Sequence, residues 1–176
     1  MQILLSDVLT EVGKKKEYQA ELGFSTWKSG AEAYPVTADG PIRLELVHTG
    51  EKKIEVSVIC DLTLLMPCDR CLDPVVQKLH IEDTELVDMG MTEEERIAKL
   101  DEKPYINGLQ LDVDSLVKTE IYVHMPMKVL CREDCKGICN RCGANLNRET
   151  CDCDASVPDP RMAAILDVFK AAEEKE

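Results

Sequence analysis

Aromatic side chains are scarce in this chain: one Trp, two Phe and four Tyr among 176 residues. A core with so few rings has to be built from Leu, Ile, Val and Met, and the 44% apolar content suffices for one. There is no apolar run long enough to read as a transmembrane helix. The opening MQILLSDVLTEVGKKKEYQA has no basic region ahead of an apolar stretch, so a secretory signal is not expected and a cytoplasmic location is. Positive charge is also in short supply, with 21 Lys and Arg against 34 Asp and Glu, a net charge of −13. A field of that sign opposes general binding to phosphate backbones. The runs KKK at 14–16 and KK at 52–53 are too short to make a basic patch. There is no internal repeat and no low-complexity tract.

The acidic residues are unevenly placed. Nine of them lie between Glu82 and Glu102, opposed only by Arg96 and Lys99. This reads as a solvated connection, about residues 88–104, with a helical turn near Thr92 to Leu100. Upstream, alternation dominates. Ile42, Leu44, Leu46 and His48 share one side of a strand. A turn at Gly50 leads to a longer strand that puts Ile54, Val56, Val58, Cys60, Leu62, Leu64 and Met66 on one face. A third strand is expected over Val76 to Val87, and QILLSDVL near the start reads as a short strand entering a turn or helix. The segment DVDSLVKTEIYVHMP predicts a helix over about 112–124, capped by Asp112 or Asp114 and ended by Pro126. PDPRMAAILDVFKAAEEKE predicts a second helix, capped by Asp159, whose Met162, Ile165, Leu166 and Phe169 stripe packs on the body. The expected fold class is α+β, with a mostly antiparallel, strongly twisted or partly closed sheet, a few helices and a C-terminal zinc-binding segment. Its divisions are a β-rich domain over 1–126, a cysteine-rich segment over 127–157 and a C-terminal helix over 158–176.

The thiols are the chain's most specific feature. Six of nine cysteines fall in CREDCKGICNRCGANLNRETCDC, from Cys131 to Cys153. In a reducing compartment such a cluster reads as a metal site rather than a disulfide framework, and the odd total agrees. Cys139 and Cys142, followed by Gly143, suit a zinc knuckle: the tight turn aims two sulfurs at one ion, and glycine tolerates positive φ. A closed tetrahedral site needs two more ligands. Cys135 and Cys153 are the expected pair, with Cys131 and Cys151 as alternatives. Six sulfurs exceed one tetrahedron, so either two are bystanders or two thiolates bridge a second ion. The spacing from Cys135 to Cys142 matches a radical S-adenosylmethionine iron–sulfur motif, but only 34 residues follow Cys142, too few for the βα units such an enzyme needs. A catalytic zinc would keep an open position with a His or carboxylate nearby. His48, His80 and His124 are distant in sequence and read as strand or helix surface residues. The ion's role would be to fold a segment with almost no apolar core of its own.

A second thiol pair, Cys68 and Cys71 in MPCDRCLDPV, ends the longest strand. It reads as a structural turn displaying Arg70 for recognition of a carboxylate or phosphate. It can also be half of another zinc site, with Cys60 or a cluster cysteine as partner. A redox pair is disfavoured by Pro74 and by the strand context.

Taken in order, CDRCLDPV, LCREDCKGICNRCGANLN with a trailing CDC, and DPRMAAILDVF resemble the YceD-like family of large ribosomal RNA subunit accumulation proteins, over about Gly40 to Phe169. The resemblance implies a non-enzymatic role in synthesis, processing or stability of large-subunit (23S-type) ribosomal RNA and in ribosome assembly. The family's C-x-R-C feature falls on Cys68, Arg70 and Cys71, and the cysteine-rich segment belongs to some members only. Expected partners are the large-subunit RNA or a basic ribosomal protein, the latter steered by the acidic 82–102 stretch; no membrane and no small-molecule substrate are expected. The alternatives are a zinc knuckle binding RNA directly, through Arg70, Arg132, Lys136, Arg141 or Arg148, and a thiol redox protein.

Overall fold

The computed structural model describes residues 1–153; the predicted helix over 158–176 lies outside them. The architecture grows from one long hairpin. Strands β6 (Lys53–Pro67) and β7 (Pro74–Asp88) pair antiparallel along their full length, from Lys53 opposite Asp88 to Pro67 opposite Pro74. β5 (Ile42–Gly50) lies on the other edge of β6 against residues 53–59, and β4 (Glu32–Ala38) continues that edge against Leu62 to Leu64. β2 (Lys15–Ala20) pairs with β5, and β3 (Thr26–Ser29) with β4. A separate three-stranded sheet joins β1 (Gln2–Leu4) to β9 (Gln110–Asp112) and β9 to β8 (Ile106–Asn107). Two helices complete the described residues, α1 (Glu93–Ala98) and α2 (Val113–His124).

The period-two pattern of the sequence is the core. Ile54, Val56, Val58, Cys60, Leu62 and Leu64 are buried in a row on β6, flanked by Ile42, Leu44 and Leu46 on β5 and by Leu79 and Ile81 on β7. α2 closes this face with Val113, Leu116, Val117 and Ile121. Asp112 caps it by accepting from the N–H groups of Asp114 and Ser115. The single Trp is a clasp: Trp27 Nε1 donates to the Lys118 carbonyl at 3.2 Å, and its ring lies 4.6 Å from that of Tyr122 on α2.

Four features differ from expectation. The sheets are open rather than partly closed, because β5 and β4 share one edge of β6 while β7 fills the other, and among the described residues no strand joins the outer edges. The small sheet pairs residues more than a hundred positions apart, which no local pattern announces. His48 is buried, its Nδ1 bonded to the Glu11 carbonyl at 2.9 Å, rather than on a surface. The acidic connection is tied down: a Thr92–Glu95 capping box starts α1, Arg96 donates to the Asp88 carbonyl, and Lys103 and Tyr105 both bond to Glu85.

Behind that tie sits Glu120, a buried carboxyl on α2. Burial, reinforced by the charge of Asp83, raises its pKa above the usual carboxylate range, while His124 and Lys103 pull the other way. The folded state therefore binds this proton more tightly than the unfolded chain does. The associated stabilisation is present at acid pH and is lost as pH rises through the folded pKa. Glu120→Gln is expected to raise the unfolding free energy at pH 7 relative to the parent protein, with the gain shrinking toward pH 4. Urea unfolding at the two pH values measures it, and a gain that grows on acidification would contradict the assignment.

Candidate metal centre

Eight of the nine cysteines gather at one end of the β6–β7 hairpin as two groups of four. Cys68, Cys71, Cys131 and Cys135 form the first, and Cys139, Cys142, Cys151 and Cys153 the second; within each, all sulfurs lie within 4.8 Å of one another. A tetrahedron of thiolates around zinc has edges of about 3.8 Å, from Zn–S bonds of ~2.3 Å. Cys68 and Cys135 sulfurs are 3.8 Å apart, and those of Cys71 and Cys131 3.5 Å. Each group offers four soft ligands and no histidine or carboxylate, the donor set of a closed structural zinc site.

The first group spans the chain. Cys68 directly follows β6 and Cys71 sits in the connecting turn, where Cys68 N–H donates to the Asp73 carbonyl and Leu72 N–H to the Cys68 carbonyl. Cys131 and Cys135 arrive on the segment that leaves α2. Backbone pairing brings the two stretches together: Asp69 N–H donates to Val129 O at 2.8 Å, Val129 N–H to Asp69 Oδ2 at 2.6 Å, and Ile138 N–H to Arg70 O at 3.0 Å. Arg70 faces this joint as well, with Nη1 2.8 Å from the Cys135 carbonyl. Its guanidinium thus helps stitch the scaffold while the side chain stays exposed at the turn. Asn147 orients Cys135, donating to its sulfur at 3.2 Å while its Oδ1 accepts from Lys136 N–H and Arg132.

The second group is local. The knuckle turns as its sequence predicts, with Gly143 at φ 75° and its N–H on the Cys139 carbonyl. Arg141 N–H lies 3.5 Å from Cys139 Sγ. Cys139 is buried, Cys151 and Cys153 half-buried and Cys142 exposed, so this group is nearer to solvent than the first, where only Cys131 is exposed.

The sulfurs are electrostatically divided. Burial pushes the Cys68 thiol up, but N–H groups of Arg70, Cys131 and Cys71 outweigh it and bring the pKa down to about 6. Cys139 is held at about 6 chiefly by the N–H groups of Cys142 and Arg141. Cys153 is pushed up to about 12, first by its contact with Cys142 and then by burial. Four sulfurs this close cannot all ionise unless a cation neutralises them.

These positions redistribute the residues expected from sequence. Cys135, Cys139, Cys142 and Cys153 do not share one tetrahedron: Cys135 joins Cys131 and the Cys68–Cys71 pair, and Cys151 joins Cys139, Cys142 and Cys153. The reason is reach, since Asp69–Val129 pairing docks the start of the segment on the hairpin turn. Cys60 takes no part; it is a core residue whose thiol burial pushes up to about 11. His48, His80 and His124 also lie outside both groups. Gly137 makes the bend between the two cysteine groups. It sits at φ 79°, and a Cβ there would lie 3.0 Å from the Arg70 carbonyl oxygen, whereas one at Gly143 would meet nothing within 4 Å. Gly137→Ala is therefore expected to accelerate metal loss to a competing chelator well beyond Gly143→Ala, whose cost is the φ strain alone, about 1 kcal/mol. Equal loss rates for the two variants would remove Gly137 from the joint.

Comparison with known proteins follows the same residues. The family model for "Large ribosomal RNA subunit accumulation protein YceD" matches residues 56–169, which include all eight clustered cysteines. An Arabidopsis thaliana protein named large ribosomal RNA subunit accumulation protein YCED homolog 1, chloroplastic, is 20% identical over 98% of this chain and 60% of its own length. Uncharacterized proteins of Mycobacterium tuberculosis and Mycobacterium bovis are 27% identical over 58% of this chain and 49% of theirs. The chain thus spans about half to three-fifths of these relatives. No solved structure matches. With more than half of its length, from β6 through both cysteine groups, matched by the family model, the chain belongs to the YceD family of large ribosomal RNA subunit accumulation proteins.

Proposed function

We propose that this protein is a non-enzymatic factor that supports accumulation of large-subunit ribosomal RNA, and that two structural zinc ions hold its C-terminal region in shape. The match to the accumulation family over residues 56–169 carries the reading. The donor sets support the metal: each is four cysteines, a full tetrahedron that leaves no open position for water, so zinc would supply cohesion rather than Lewis acidity. Cys68, Cys71, Cys131 and Cys135 would hold one ion and Cys139, Cys142, Cys151 and Cys153 the other. A reducing compartment such as the cytoplasm keeps these thiols available. None of the described helices is long and apolar enough to cross a membrane.

Charge favours a protein partner over a direct grip on RNA. Several basic side chains at the cysteine groups have partners in the scaffold: Arg132 bonds Asn147 and Asp134, Arg148 bonds Asp73, and Arg70 the Cys135 carbonyl. The acidic stretch from Glu82 to Glu102 is complementary to a basic ribosomal protein of the large subunit, whose delivery would support RNA accumulation.

Metal analysis of reduced protein is expected to give two zinc ions per chain. Cys71→Ser and Cys142→Ser should each lose one ion, and the double variant both; a single ion indifferent to Cys71 would refute the first site. Depletion in cells should lower large-subunit RNA relative to small-subunit RNA. Capture should recover basic large-subunit proteins in a salt-sensitive complex. Recovery of RNA without those proteins would favour direct binding instead.

A further inference from the structure

β7 is an edge strand. All 15 of its residues pair with β6, and no strand occupies its other side among the described residues. Its ends are engaged. At one, Asp73 is held by Asn145 and Arg148 just before the strand begins; at the other, Glu85 is held by Lys103 and Tyr105. Between them, Val76, Lys78, His80, Glu82 and Thr84 stand exposed on one face. A long open edge is a template for another strand, and what it accepts is decided by the side chains that would come to lie opposite.

We propose that β7 pairs antiparallel with β7 of a second copy of this chain, about a two-fold axis at His80, to make one continuous sheet. Three observations select this register. Directly opposed residues of antiparallel strands share a face, so a two-fold axis must fall on a residue rather than between two. An axis at His80 sets Lys78 opposite Glu82 of the second copy, twice by symmetry, on the exposed face. The same axis sets Leu79 opposite Ile81 of the second copy on the buried face and uses residues 76–84, the stretch clear of both engaged ends. Moving the axis to Ile81 would set Leu79 against Asp83, and moving it to Leu79 would set Lys78 against His80. The imidazoles at the axis each lie between carboxylates of their own chain, Nδ1 2.7 Å from Asp61 and Nε2 3.7 Å from Glu82, which offsets their mutual repulsion and leaves Glu82 close to Lys78 of the second copy as well. An extended basic segment from another protein is the rival occupant, but it would leave Lys78 without its carboxylate.

The interface is a single strand pair, so association is expected to be weak and concentration-dependent. Sedimentation velocity on the full zinc-loaded chain tests it. Lys78→Glu and Glu82→Lys each replace two attractive cross-strand pairs by two repulsive ones and should weaken dimerisation about tenfold or more. The double variant K78E/E82K restores both pairs, reversed, and should recover dimerisation to near the parent value, with circular dichroism and zinc content unchanged in all three. A monomer at every concentration, single variants that dimerise like the parent, or a double variant that stays as weak as the singles would each overturn the proposal. A monomer whose binding of a cationic peptide is abolished by E82K would assign the edge to a basic partner instead.

Discussion

The joint between Asp69 and Val129 governs how this molecule is put together. Two backbone-directed bonds set the strand-connecting turn against the segment leaving α2, and four sulfurs from the two stretches converge beside them. Residues 127–153 contain few buried apolar side chains, Val129 foremost, and cannot exclude water on their own. They take their shape from the sheet they dock on, and the docking brings the sulfurs close enough to chelate an ion. The dependence is one-directional, because β6 and β7 are registered by their own ladder and by a core shared with α2.

The division into a self-sufficient sheet and a dependent appendage explains how polar groups are used. Around the cysteines, polar side chains help hold the joint: Arg70 bonds a carbonyl, Asn147 a sulfur, and Asp73 both Asn145 and Arg148. On the sheet, charge remains at the surface, where Lys78, His80 and Glu82 line one side of the edge strand. The two regions therefore present different chemistry, one a scaffold braced by internal polar bonds, the other an exposed ladder edge and its charges.

Periodicity made the strongest elements readable. The alternation from Ile54 to Met66 and the apolar spacing from Val113 to Ile121 correspond to β6 and α2, since burial on one face imposes period two on a strand and about 3.6 on a helix. The knuckle at Cys139–Gly143 was equally legible, because a two-residue chelate loop and its glycine are local. What sequence could not convey was pairing at a distance. Cys68 and Cys135 are 67 residues apart, and only the folded hairpin decides that they are neighbours. The signal available was arithmetical: eight cysteines in four close pairs, which fill two tetrahedra without a bystander. Gln2 opposite Asp112 likewise left no local trace, and Arg96 looked solvated until its partner, a carbonyl on β7, was in view.

The length of the β6–β7 ladder has a mechanical meaning. Its 15 paired residues place the sulfur-rich turn at one pole and the α1 side, anchored by Arg96 to Asp88, at the other. At ~3.3 Å per residue the poles stand about 45 Å apart. Because every residue of β7 is in register with β6, that span is a rigid ruler: anything gripped at one pole is presented at a set reach from whatever is gripped at the other, and lengthening or shortening it would require cutting both strands together.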